Sequence, residues 1–257
     1  MLQRVRWSGL AVAAAAILLV APIVIVVAIS FSGDGSLAFP PRSWSLRWYE
    51  RFLGDPRWQR ALVSSLLIAA GAAVLSTAVG FLAAYGLVRS GMRAKQALLS
   101  LVLMPLVVPH IVTAIALYYV SARLDLVGNL AWVATAHAML GLPVVVVMVS
   151  SALGAVDPNL ERAALGMGCG PAGVLWRIVI PLAAPGVASA ALFAFLSSFD
   201  ELVVALFLAG VRTQTLPVRI WNSLAMEIEP TVAAASAVLV AATLAVLLID
   251  WVIRWRR

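Results

Sequence analysis

The sequence predicts an all-α membrane protein with six spanning helices. Of its 257 residues, 63% are hydrophobic and only 11% are charged, whereas a soluble domain carries about 25% charged residues. A water-soluble fold of this composition would have too little polar surface to face water. The apolar runs are also too long and continuous for membrane β-barrel strands, which alternate over roughly 10 residues. Helices are therefore expected, because they satisfy their own backbone hydrogen bonds in lipid.

We expect the six spans at the longest apolar runs, which cover residues 10–31, 61–88, 97–121, 130–151, 187–210 and 232–253. A short helix at about 172–180, ending at Pro181, is expected to precede the fifth run. Pro105 and Pro109 are expected to kink the third helix.

The first apolar run follows Arg4 and Arg6, as it would in a secretory signal peptide. The run is long enough to cross a bilayer, and no clear A-x-A cleavage signal follows it. We therefore interpret it as an uncleaved first helix. Residues 45–60 mix aromatic and charged side chains, which is typical of a helix lying on the outer leaflet. Contact with a docked protein is the alternative interpretation of that segment.

Six spans place both termini on one side of the membrane. We predict that this side is the cytoplasm, because the N-terminus, the turn at 89–96 and the C-terminus carry basic residues and no acids. The predicted organisation is a segment 1–60, with the first helix and the outer interfacial residues, and a five-helix core 61–257. The net charge of +7 comes from residues lying mainly between apolar runs, so it indicates membrane orientation rather than nucleic-acid binding.

A short amphipathic helix is predicted in a cytoplasmic loop, residues 152–186. Either Asp157 or Asn159 can cap that helix with a side-chain oxygen. Leu160, Ala163, Ala164 and Met167 follow at helical spacing and form one small apolar face. Because alanine is small, this face allows a partner to approach closely. An ordinary connector between two spans is the alternative interpretation.

The spacing of this loop resembles the cytoplasmic "EAA" loop of permease subunits in bacterial ATP-binding-cassette importers. Ala163 and Ala164 are followed by Gly168 four residues later, and an Ile-x-Ile-Pro sequence ends at Pro181. The resemblance implies the type I importer (MetI-like) permease fold. It also implies that the helix at 157–170 is a coupling helix, which sits in a cleft of the ATPase.

The chain departs from the family pattern at one charged position. Aligned on Gly168, Arg162 occupies the position of the family's glutamate, and Glu161 comes one residue earlier. A helix rotation of about 100° would be needed for Glu161 to take its place. The residues that the resemblance assigns to ATPase coupling are Asp157, Leu160, Glu161, Arg162, Ala163, Ala164, Gly168 and Pro181.

The resemblance also implies the partners of the chain. The sequence has no Gly-x-x-x-x-Gly-Lys-[Ser/Thr] phosphate loop, so we expect no ATPase activity and no cofactor in this chain. A partner ATPase dimer would bind ATP and magnesium. A second permease subunit, forming a heterodimer, and an extracytoplasmic solute-binding protein would complete a complex in the bacterial inner membrane.

Asp200 and Glu201 lie within the expected fifth span, roughly 20 Å from its cytoplasmic start. An intramembrane carboxylate costs about 3 kcal/mol on insertion scales, so this pair requires water, a partner or a function. One hypothesis is that a carboxylate faces the transport pathway and attracts a cationic solute, with Phe199 and Trp221 offering cation–π faces. A structural pair, bonded to a neighbouring helix or a partner permease, is the other.

Two further segments, 197–201 and 215–224, resemble the polyamine branch of these permeases, which includes spermidine/putrescine importers. The resemblance implies a pathway for a small cationic solute, with another small amino-containing solute as the alternative. A membrane enzyme would need more clustered catalytic groups, and a scaffold would not need an acidic pair in a span. His110, His137 and Cys169 are too few and too separated to predict a metal site or a disulfide within the chain.

Overall fold

The computed structural model describes residues 2–35, 37–226 and 230–255, and most of these residues are helical. The side chains of the basic residues near both termini, on which the predicted orientation partly rests, are not among those that the structure describes. In chain order the helices are α1 (Leu2–Ser30), α2 (Arg47–Gly54), α3 (Pro56–Arg89), α4 (Lys95–Leu103), α5 (His110–Arg123), α6 (Leu130–Gly154), α7 (Pro158–Gly166), α8 (Pro171–Val174), α9 (Ile180–Phe199), α10 (Val203–Leu208), α11 (Leu216–Met226) and α12 (Thr231–Trp255).

Four helical segments are long and apolar enough to cross a bilayer, and they cover 56–89, 130–154, 171–199 and 231–252. A bent pair, α4 with its following turn and α5, makes a fifth if it is counted as one span. In α1 the apolar stretch found is shorter, Ala14–Ser30. The described residues thus give four or five spans by length and composition, and the sixth stays a prediction.

The third span is broken where a kinked but continuous helix was expected at 97–121. The segments Lys95–Leu106 and His110–Arg123 meet at an angle of 91°. Proline cannot donate a backbone hydrogen bond, and it disfavours helical geometry in the residue before it. Pro109, which directly precedes α5, therefore explains a full break better than a kink.

The chain forms two compact units, of which the first comprises residues 1–59 and 219–245. A helix does form within the predicted interfacial segment 45–60, and its aromatic side chains pack inside this unit. The indole of Trp48 donates to the Ser32 carbonyl at 2.8 Å, and the buried Phe52 ring lies 5.7 Å from that of Trp58. The position of α2 on the outer leaflet stays a prediction.

The second unit, residues 60–218 and 246–257, is built around α6 and α9. Val145, Val146 and Val149 of α6 are fully buried. Gly186 allows α9 to approach α6 closely, because a side-chain carbon at that position would collide with Ala152. This packing of small residues fixes the ends of both helices. It thereby positions the loop that follows α6 and the helix break that follows α9.

The helix expected to end at Pro181 continues through it, so that boundary prediction is wrong. Helix runs from Pro171 to Phe199 and includes a π-helical turn at Leu175–Val179. In that turn the Ile180 amide donates to the Leu175 carbonyl, five residues back. The wider turn accommodates the missing amide hydrogen of Pro181 without ending the helix.

Candidate functional site

The helix α7 begins and ends as its sequence predicts. The Asp157 carboxylate accepts a hydrogen bond from the Asn159 amide at 2.9 Å, and Pro158 occupies the first turn. After the helix, Gly168 has a φ of +86°, a backbone conformation that residues with a side chain rarely adopt. The cap and this glycine hold α7 as a separate short helix between the two long ones.

The two faces of α7 differ in exposure. Leu160, Ala163 and Met167 are exposed, whereas Ala164 is 3% exposed and packs in the core of the second unit. The prediction that all four residues share one docking face is therefore wrong for Ala164. The exposed apolar face is narrower than expected and includes Leu160, Ala163 and Met167; we call these three residues the docking face.

The two neighbouring charged residues on α7 differ in exposure. Glu161 is buried, and its carboxylate accepts a hydrogen bond from Arg89 Nε at 2.7 Å. The Tyr85 hydroxyl donates to its other oxygen at 3.3 Å. Arg162 is exposed, and its guanidinium donates to Asn159 Oδ1 at 3.3 Å. Arg162 is thus the charge presented beside the docking face, and Glu161 is held inside the chain.

Asp200 and Glu201 lie at a helix break rather than inside a continuous fifth span. The helix before them ends at Phe199, and α10 begins at Val203. The Glu201 carboxylate is buried and accepts hydrogen bonds from the amides of Val204, at 2.9 Å, and Ala205, at 3.1 Å. It therefore caps the first turn of α10, while Asp200 is exposed.

Two histidines lie near the Glu201 carboxylate, although their positions in the sequence did not relate them to the acidic pair. His137 Nδ1 is 2.8 Å from the Ser198 hydroxyl, and His137 Nε2 is 3.6 Å from a Glu201 oxygen. His110 Nδ1, at the start of α5, is 3.9 Å from the other oxygen. The breaks in the third and fifth spans thus meet at one polar cluster, to which α6 contributes His137. Its members are Ser198, Glu201, His110 and His137.

The two aromatic residues predicted for the pathway differ in exposure. The Phe199 ring is buried and stacks on Phe195 with centroids 5.7 Å apart, so one face is already covered. Trp221 belongs to the first unit and has an exposed side chain. The assignment of these two residues to a pathway stays a prediction. Among the described residues, no group of three or more His, Cys, Asp or Glu side chains is arranged to hold a metal ion.

The long apolar helices and the exposed loop helix are those of a transport permease of the ABC class. Residues 76–257 match the model of the family described as binding-protein-dependent transport system inner membrane component. The chain belongs to this family. It is a non-catalytic permease subunit, and ATP hydrolysis belongs to a separate subunit.

Curated relatives cover most of the chain. It is 33% identical to the spermidine/putrescine transport system permease protein PotC of Haemophilus influenzae, over 90% of each chain. It is 34% identical to the molybdenum transport system permease protein ModB of Mycobacterium tuberculosis, over 80% of this chain and 82% of that one. The family is therefore clear from sequence, and the relatives differ in the solute that their names give.

Solved structures agree with the fold. The bacterial alginate ABC transporter, in complex with an alginate pentasaccharide-bound periplasmic protein, includes a chain that superposes with a TM-score of 0.74. The match covers 96% of this chain and 93% of that one, at 12% identity. The described helices thus follow the arrangement of an ABC importer permease.

Proposed function

We propose that this chain and a second, different permease subunit form the pathway by which an ATP-driven importer carries a polyamine, spermidine or putrescine, into the cytoplasm. An extracytoplasmic binding protein delivers the solute. A partner ATPase dimer binds ATP and magnesium and docks on α7. Both termini of the chain then face the cytoplasm of a bacterial cell.

A cationic solute is supported by the different environments of the two adjacent acids, Asp200 and Glu201. Both Glu201 oxygens accept backbone hydrogen bonds, so this carboxylate has a structural task. Asp200 is exposed at the same helix break. A carboxylate in this position attracts an ammonium group by about 1 kcal/mol in water and about 4 kcal/mol in a partly dry site at 4 Å.

The docking of the ATPase is supported by the shape of α7. Its docking face is apolar and exposed, while Glu161 and Ala164 hold the helix against the rest of the second unit. Large contiguous apolar patches are rare on the surfaces of monomeric proteins, whereas the core of a protein interface is rich in apolar groups. The exposed Arg162 adds a positive charge at the edge of this surface.

A second candidate solute contains molybdenum, because one relative is named as a molybdenum transport system permease; we take molybdate as the form to test. The exposed Asp200 carboxylate would repel an anion at the helix break, so this local negative charge favours the polyamine. Another small amino-containing solute would be attracted by the same carboxylate, and the binding protein would then decide between them.

The proposal is tested by purifying the chain with its partners. We expect an ATPase and a second permease subunit to co-purify with it from a mild detergent. The ATP hydrolysis of this complex, reconstituted in lipid, should rise when its binding protein is added with spermidine. If the stable, folded chain co-purifies with no ATPase, the proposal that it works in an ATP-driven importer is refuted. If molybdate rather than spermidine stimulates ATP hydrolysis, the proposed polyamine substrate is refuted.

A further inference from the structure

Arg89, the last residue of α3, contacts two other elements of the second unit. Its Nε atom donates to Glu161 of α7 at 2.7 Å. One terminal nitrogen donates to the carbonyls of Leu153, at 3.2 Å, and Val156, at 2.9 Å. These carbonyls lie at the end of α6 and directly after it. One guanidinium therefore joins the ends of two membrane-spanning helices to the loop helix.

The chemistry of this contact is specific to an arginine. The last carbonyls of a helix have no partner within it, and they attract a cation. A guanidinium presents several donors in one plane, so it can bind these carbonyls and a carboxylate together. The Arg89 and Glu161 side chains are only 16% and 11% exposed, which limits competition from water. Tyr85, one turn earlier on α3, donates to the second Glu161 oxygen.

The contact between Arg89 and Glu161 lies on the side of α7 that faces away from the docking face. Glu161 and Ala164 face inward, and the docking face points away from the chain. Ala164 packs in one core with Leu153 and Val156, so apolar packing and the ion pair act on the same side of the helix. A force applied to the docking face would therefore reach α3 and α6 through this inward side.

We propose that Arg89 is a positioning residue that transmits the displacement of α7 to the inner ends of α3 and α6. This role rests on the proposed function, in which an ATPase docks on α7. The family pattern of the loop does not include this role, because Arg89 lies at the end of a different span and Glu161 precedes the family's glutamate position. The proposed role of Arg89 assigns Glu161 to coupling inside the chain rather than to direct contact with the ATPase.

The test replaces the pair by apolar residues in the complete reconstituted complex. The double variant Arg89→Met with Glu161→Leu removes both charges together, which avoids leaving one of them buried and unpaired. We expect it to retain the ATPase on purification and to melt close to the wild-type temperature. We also expect the solute transported per ATP hydrolysed to fall at least tenfold.

Two more variants sharpen the result. Arg89→Lys keeps the positive charge but offers a single compact ammonium, so we expect a smaller loss than in the double variant. Arg93→Met removes an exposed arginine from the adjoining turn and should transport as the wild type does. Normal transport per ATP in the double variant would overturn the proposal, and so would its failure to assemble, since the pair would then serve folding alone. Absence of a bound ATPase in the wild-type complex would instead refute the proposed function.

Discussion

Replacing Asp200 with asparagine is expected to raise the spermidine concentration for half-maximal uptake by about tenfold, which corresponds to about 1.4 kcal/mol of lost attraction. The change keeps the size and most of the polarity of the side chain but removes its negative charge. Because Asp200 is exposed and ends a helix, the chain should fold and assemble as before. The measurement is the concentration dependence of ATP-driven uptake by the reconstituted complex.

Asp125→Asn provides the matched control for this substitution. Asp125 is also exposed and lies in a loop with a φ of 54°, a conformation that asparagine adopts readily. Its uptake kinetics should equal those of the wild type. Glu201→Gln differs from both, because it disturbs the cap of α10 and should lower the melting temperature. Unchanged uptake kinetics in a folded Asp200→Asn complex would remove Asp200 from the pathway.

Replacing Leu160 with aspartate is expected to reduce the amount of ATPase that co-purifies with the chain by about tenfold or more. Leu160 is exposed on the docking face, so the new carboxylate would have to lose its water when the ATPase docks. The fold of α7 should tolerate the change, because an acid in the first turn of a helix is stabilised by the helix dipole. The measurement is the ratio of ATPase to permease after purification in detergent.

Met92→Asp is the control for this second substitution. Met92 lies in the turn between α3 and α4 and is 46% exposed, close to the 47% of Leu160. It introduces the same charge on a surface outside the docking face and should retain the ATPase. Equal retention of the ATPase by the Leu160→Asp variant would show that the docking face is not the contact.

The sequence alone predicts the helices whose extent is decided by an apolar run. The fourth span was expected at 130–151 and is observed at Leu130–Gly154, because the bilayer sets the length of an uninterrupted apolar helix. The cap of α7 was predictable for a similar reason, since Asp157 bonds to an amide only two residues away. Both features depend on neighbours in the chain.

The helix break at Asp200 was missed although a local signal for it existed. A carboxylate directly before an apolar run can accept hydrogen bonds from the free amides of a helix's first turn, and Glu201 directly precedes the run that contains α10. The apolar run continues across the break, so hydropathy joined the two helices into one span.

The remaining contacts could not have been predicted from spacing. His137 meets Glu201, and Arg89 meets Glu161, only because α6 packs against α9 and the ends of three helices converge on the loop. Such pairs depend on tertiary structure and produce no periodic pattern in the sequence. The same holds for the opposite exposure of Glu161 and Arg162, since adjacent residues on a helix point about 100° apart and the pattern alone does not say which faces inward.

The most direct test of the proposed function is the accumulation of labelled spermidine in proteoliposomes. They would contain this chain with its partner permease and ATPase, and the binding protein would be supplied on the opposite side from ATP. We predict accumulation that requires ATP, the ATPase and the binding protein, and no accumulation of molybdate. Accumulation of molybdate without spermidine, or of neither solute by a complex that hydrolyses ATP, would contradict the assignment of this chain to polyamine import.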